Sequence, residues 1–198
     1  MSWPTLVLGA VLLASCSGPP PASRPEVLGQ VEFSFDRAVR EALDEVPRSK
    51  LFSVEVRQVS GPDPVWRTEV ATDDGTLHVV RIDASLGRLL DTFEPPEQPP
   101  ARKARTAAQV KAAKVLPEEA AEKADATAVE NPHYGKVTAL RLTRGKEDEP
   151  VWSVAVMTIR PEHTHIYQVD AVTGDVIDRR TTRPGPSPSA TAPLLEGR

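Results

Sequence analysis

One cysteine, Cys16, stands in 198 residues, so no disulfide can form within the chain, and stability must come from burial and strand pairing. Basic residues are nowhere dense. With 24 Lys and Arg against 28 Asp and Glu the formal net charge is −4, and no stripe could track a phosphate backbone, which argues against nucleic acid as a partner. Long apolar runs are missing too: residues 6–13, Leu-Val-Leu-Gly-Ala-Val-Leu-Leu, fall well short of the about 20 residues a membrane-crossing helix needs. Glycine is sparse beside proline, 11 against 20, and the prolines cluster at the start, near residues 95–100 and after residue 183. Such clusters mark extended segments and cut the chain into blocks. A hydrophobic content of 39 % is enough for a modest core, and two small domains fit the blocks better than one large one.

The run at 6–13 is long enough for the apolar region of a signal peptide, and Leu13-Ala14-Ser15-Cys16 follows at once. That end resembles the lipobox of bacterial lipoproteins, in which signal peptidase II cuts before the cysteine and the thiol carries a diacylglycerol. The resemblance implies a signal peptide over residues 1–15, Cys16 as the lipidated first residue of the mature chain, and a membrane partner through the lipid. Residues 1–5 depart from the pattern in having no Lys or Arg. A short buried helix carrying a small apolar cysteine is the bland alternative. Residues 16–29 hold the stretch Ser17-Gly18-Pro19-Pro20-Pro21-Ala22-Ser23, which has nothing to bury and suits a tether. The expected location is outside the cytoplasm, on the cell membrane or cell surface.

An internal repeat decides the architecture. Pro64-Val65-Trp66, a turn at Asp73-Asp74-Gly75 and Asp83-Ala84-Ser85-Leu86-Gly87 recur as Pro150-Val151-Trp152, a turn around Arg160-Pro161-Glu162 and Asp170-Ala171-Val172-Thr173-Gly174. Trp66, Thr68 and Val70 alternate with Val65, Arg67 and Glu69, the period of two of a half-buried strand. Strands are also expected at 51–57 and 136–142, ahead of each Trp. Ahead of those come helices. Ser34 can cap the first, in which Phe35, Ala38, Val39, Ala42, Leu43 and Val46 share a stripe before Pro47. Pro117 can open the second, which runs to about Val129 with Glu118 and Glu119 in its first turn. Its stripe is Ala120, Ala121, Ala124 and Ala128, which buries less area and predicts a less stable second unit. A further helix is expected over 104–114.

The order of helix, antiparallel strands, Trp opening the second strand and a closing Asp-Ala-x-x-Gly motif resembles the PepSY domain, twice in tandem over about residues 30–92 and 115–180. The implied fold class is α+β, two small domains of one helix on a three- to four-stranded antiparallel sheet. The expected division is domain 1 at 30–94, a Pro-rich linker at 95–104, domain 2 with its preceding helix at 105–180, and a tail at 181–198. The resemblance implies binding of a protein or peptide partner, with restraint of an exported peptidase as its specific form, and it offers no catalytic residue to carry over. Trp66 and Trp152 are expected to fill the space between sheet and helix. Asp83 and Asp170 are expected to bond backbone in turns that Gly87 and Gly174 permit at positive φ.

Catalytic and metal chemistry finds little support. No Gly-x-Ser-x-Gly elbow and no phosphate-cradling loop occurs, and lipidation would consume the thiol, so a non-enzyme without cofactor is expected. His163, His165 and His133 invite a zinc hypothesis, but His78 and His165 both stand five residues before the motif Asp and read as equivalent sheet positions. Val151, Ala155 and Met157 make the strand of Trp152 apolar on both sides, where the first copy carries Arg67 and Glu69. They form a candidate binding face for another envelope protein, unless the first repeat or the 104–114 helix covers them. A passive envelope spacer and a metal or small-molecule sensor remain as alternative functions.

Overall fold

Among the described residues, apolar alternation in the two repeats yields eight strands, and the helical stripes yield three helices. The computed structural model describes residues 29–58, 63–128, 135–158 and 163–182. Cys16, the 1–15 signal peptide, nearly all of the tether, His133, the turn at 160–162 and the tail beyond Thr182 lie outside these residues. Helix α1 (Phe35–Glu45) is followed by β1 (Ser49–Gln58), β2 (Pro64–Thr72), β3 (Leu77–Asp83) and β4 (Leu89–Phe93). Helices α2 (Pro100–Ala112) and α3 (Pro117–Ala128) then lead to β5 (Gly135–Arg144), β6 (Pro150–Thr158), β7 (His163–Asp170) and β8 (Val176–Thr182).

The fold is α+β, and its strands form one antiparallel sheet of order β4-β3-β2-β1-β5-β6-β7-β8. The two meanders, expected as separate sheets, are hydrogen-bonded side by side through β1 and β5. Their register is Ser53 opposite Arg141, Val54 opposite Leu140 and Glu55 opposite Ala139. Val54 and Leu140 hold the same place in their repeats, each two pairs along the register from the Trp position: Val56 faces Trp66 and Leu142 faces Trp152. The junction is therefore centred on a pseudo-two-fold axis. Irregularities repeat as well, with bulges at Leu51/Ser53 and Val137/Ala139, and again at Arg81/Ile82 and Gln168/Val169.

Because Val54 and Leu140 are direct partners, the faces bearing Trp66 and Trp152 are one face, and α1 and α3 both lie on it. Under α1 the buried side chains are Val54, Val56, Trp66, Val70, Val80 and Ile82, with Ala38, Val39 and Ala42 from the helix. Under α3 they are Leu140, Leu142, Trp152, Val154, Val156, Tyr167 and Val169. The small Ala120, Ala121 and Ala124 of α3 share that core with the large Tyr167, whose place in the first repeat is taken by Val80. A wide strand residue thus fills space that a narrow helix leaves.

Ser34 sits at the N-cap of α1 in extended conformation, but its hydroxyl makes no cap bond and only its carbonyl accepts, from Ala38 N–H at 3.1 Å. Helix α2 starts at Pro100, four residues before the expected 104, so part of the stretch read as linker is helical. Pro99 is extended and Pro100 occupies the first turn, where a missing N–H costs nothing. Two lysines at equivalent places, Lys50 and Lys136, reach across to main chain outside their own repeat, Lys50 to the last turn of α2 and Lys136 to the chain entering α1. Lys50 Nζ donates to the Val110 carbonyl at 3.4 Å, and Lys136 Nζ to the Val31 carbonyl at 3.2 Å.

Candidate binding surface

The repeated motif residues build a buckle that ties each helix to its sheet. Trp66 Nε1–H donates to the Phe33 carbonyl at 2.6 Å, and Trp152 Nε1–H to the Val115 carbonyl at 3.0 Å. Those two carbonyls lie in the chain entering α1 and α3. The same lead-in chain donates back, from Glu32 and Phe33 N–H to the Ala84 carbonyl and from Lys114 and Val115 N–H to the Ala171 carbonyl. Ala84 and Ala171 are fully buried. Asp83 Oδ1 accepts from Ser85 and Leu86 N–H, and Asp170 Oδ1 from Val172 and Thr173 N–H. Gly87 and Gly174 close the turns at φ of +70° and +82°. The six motif residues therefore hold structure together; none is aimed at an open site.

On the face away from α1 and α3 the character changes across the junction. One register line runs Asp91, Arg81, Arg67, Glu55, then Ala139, Ala155, Ile166, Arg180. In the charged half Glu69 accepts from Ser53 Oγ at 2.8 Å and from Arg67 Nη1 at 2.6 Å. Burial pushes the Glu69 carboxyl pKa up, but the Arg67 charge and the hydrogen bonds from Ser53 and Arg67 outweigh it and hold the group below the ordinary value. Glu55 lies 2.6 Å from Arg57 Nη2, and Asp91 takes Arg81 in a two-pronged pair that lowers its pKa. Every carboxylate here is answered by an arginine.

His163 and His165 stack with ring centroids 6.3 Å apart, and His165 Nδ1 is 2.9 Å from Thr181 Oγ1 on β8. Burial chiefly, then the Arg179 and His163 charges, lowers the His165 pKa. Among the described residues no group of three or more His, Cys, Asp or Glu could hold a metal, and no helix is long and apolar enough to cross a membrane.

Val151, Ala155 and Met157 are 2 %, 5 % and 1 % exposed, so a partner could reach them only after something moved. Exposed large apolar side chains are found instead on both outer strands and the turns before them: Leu86, Leu89 at 41 %, Leu90 at 48 % and Phe93 at 42 % at β4, against Val172 and Ile177 at β8, with Leu116 elsewhere. Strands β4 and β8 are the two outer edges of the sheet. Comparing the copies could have found the edge, since the residues of β8 at the places of Thr92 and Phe93 are Arg179 and Arg180.

A family model described as the peptidase propeptide and YPEB domain (PepSY) matches residues 114–180, which are the second lead-in chain, α3 and β5–β8 up to Arg180. Among solved structures, a Clostridium difficile 630 protein provisionally described as a lipoprotein is similar at 16 % identity and a TM-score of 0.47. The similarity spans 77 % of this chain and 95 % of that one. No curated protein matches. The second helix-and-meander unit is thus similar to the PepSY family, and the first repeats its buckle.

Proposed function

We propose that this chain is a non-catalytic lipoprotein of the cell envelope, held to the membrane through Cys16, whose two PepSY-like units bind a protein or peptide partner. Restraint of an exported peptidase is the specific form of that reading. The observation that carries it is the match of residues 114–180 to a peptidase-propeptide family, together with the same indole-to-lead-in buckle in residues 30–93. Propeptides act by binding, and the motif residues here are occupied in structural hydrogen bonds. The anchor rests on the short apolar run ending in Leu13-Ala14-Ser15-Cys16.

Two experiments test the parts separately. Cys16→Ala is expected to release the protein from the membrane fraction, and unchanged retention refutes the anchor. Crosslinking in cells followed by purification from solubilised membranes is expected to recover an envelope protein in stoichiometric amount. Recovery of none above background returns the chain to a passive spacer.

A further inference from the structure

The two repeats supply an internal control for their own outer edges. Among the described residues neither β4 nor β8 has a strand beyond it in the sheet, and both begin at equivalent bulges. Leu89, Leu90 and Asp91 have the counterparts Val176, Ile177 and Asp178, and then the copies diverge. Strand β8 carries Arg179 and Arg180, both exposed, with Arg180 close to Asp178 at 2.9 Å. Strand β4 carries Thr92 and Phe93 in their place. Charge on an edge strand opposes addition of another strand, because a docking chain must desolvate it. On β4 the single charge, Asp91, is already neutralised by Arg81 on the neighbouring strand, and Thr92 Oγ1 donates to Glu45 of α1 at 3.2 Å. What remains outward is apolar: Leu89, Leu90 and Phe93, continued by Leu86.

We propose that the β4 edge receives an extended, uncharged, apolar-rich segment of a protein partner as a ninth strand. The occupant follows from the edge itself. Unpaired strand backbone is satisfied best by another strand, and the outward Leu89, Leu90 and Phe93 of the strand itself select a segment of low charge rich in β-branched or aromatic residues, with the charged Arg88 and Glu94 at its two ends. Strand β4 runs only from Leu89 to Phe93, so the docked core is about five residues long. Pairing of β4 with the same strand of a second copy is the competing occupant, and self-association in the test reads it out. This proposal rests on the reading of the chain as a binding protein and assigns the edge that does the binding.

The test uses the full chain and a seven-residue peptide of alternating threonine and valine, fluorescently labelled, with a version bearing two central prolines as control. Binding of the first peptide, with amide exchange slowed at residues 89–93, supports the proposal. So does a loss of affinity of tenfold or more in Leu90→Lys/Phe93→Arg beside an unchanged Ile177→Lys protein. Phe93→Arg alone serves if the double variant lowers the melting temperature. Equal binding of the proline peptide, or undiminished binding by the β4 variants, overturns it. Protection at β8 removes the β4 assignment while leaving a binding protein. Protection nowhere removes both. Concentration-dependent self-association that protects 89–93 without peptide assigns the edge to a second copy and also overturns the proposal.

Discussion

Gly87 and Gly174 close the same turn in the two repeats, yet a methyl group added to each meets different surroundings. At Gly87 an ideal Cβ lies 2.3 Å from Cδ2 and Cε2 of Phe33, while at Gly174 the nearest atoms are Val115 Cγ2 at 3.6 Å and Glu119 Oε1 at 3.7 Å. Both positions have positive φ, so alanine at either costs about 1–2 kcal/mol for the left-handed backbone. At Gly174 that is the whole cost. At Gly87 the Phe33 ring must also move, and it is not free to do so. Its carbonyl holds the Trp66 indole, its N–H is bonded to Ala84, and Arg37 sits 4.4 Å over its ring. Overpacking of this kind adds about 1–3 kcal/mol. Gly87→Ala is therefore expected to destabilise by that much more than Gly174→Ala. Urea titration followed by tryptophan fluorescence measures the total, and amide exchange in each half shows where it falls. Equal costs at the two glycines, or a larger one at Gly174, would refute the reasoning.

Trp66→Phe and Trp152→Phe each keep the apolar ring and strip a buried carbonyl of its donor, an expected loss of about 1–3 kcal/mol in urea stability; a change within error would show that the indole acts through bulk alone. His165 has a pKa lowered in the folded state, chiefly by burial, so the unfolded chain holds the proton more readily. Its contribution to stability is thus lost as pH falls below the ordinary 6.5. Melting temperature should drop between pH 7 and pH 5, and the drop should shrink in His165→Gln. Asp74 accepts from Thr72 Oγ1 and from Thr76 N–H and Oγ1, which together hold its pKa far below the carboxylate range. Its contribution is present above the ordinary 3.8 and lost on further acidification, so the stability gap between wild type and Asp74→Ala should narrow in acid. A gap independent of pH would mean that the charge does not matter.

The parts of the fold that could be read from sequence are those whose cause is local. The placement of Trp66, Thr68 and Val70 on one face, and the Asp-Ala-x-x-Gly turns, follow from periodicity and from backbone conformations that few residues allow. The other half of the buckle was not legible. Phe33 and Val115 offer main-chain carbonyls, which every residue possesses, so nothing in their identity marks them as the partners of Trp66 and Trp152. The start of α2 was hidden for the opposite reason, because proline clustering reads as extended chain although Pro100 is well suited to a first helical turn. Glu69 is buried at a position where a charge was expected to mark an exposed face; Ser53 and Arg67, which make that burial tolerable, come from alternation on two strands whose pairing must be known first.

The joining of the two meanders bears on where binding can occur. Each four-stranded unit has two edges, and an unpaired edge is a standing invitation to other chains. The ten-residue strands β1 and β5 are paired with each other over three residues each, which closes the middle of the two longest edges. Two outer edges are left, and they are managed differently. Strand β8 is seven residues long and carries Asp178, Arg179 and Arg180 in a row, so charge protects it. Strand β4 has no such run and is limited only by its five-residue length, with Leu89, Leu90 and Phe93 half exposed. Brevity prevents extensive aggregation but leaves enough backbone for one short segment. An edge guarded only in that way can still be entered by a chosen partner, and the charge on the equivalent strand shows that this sequence had the other solution within reach.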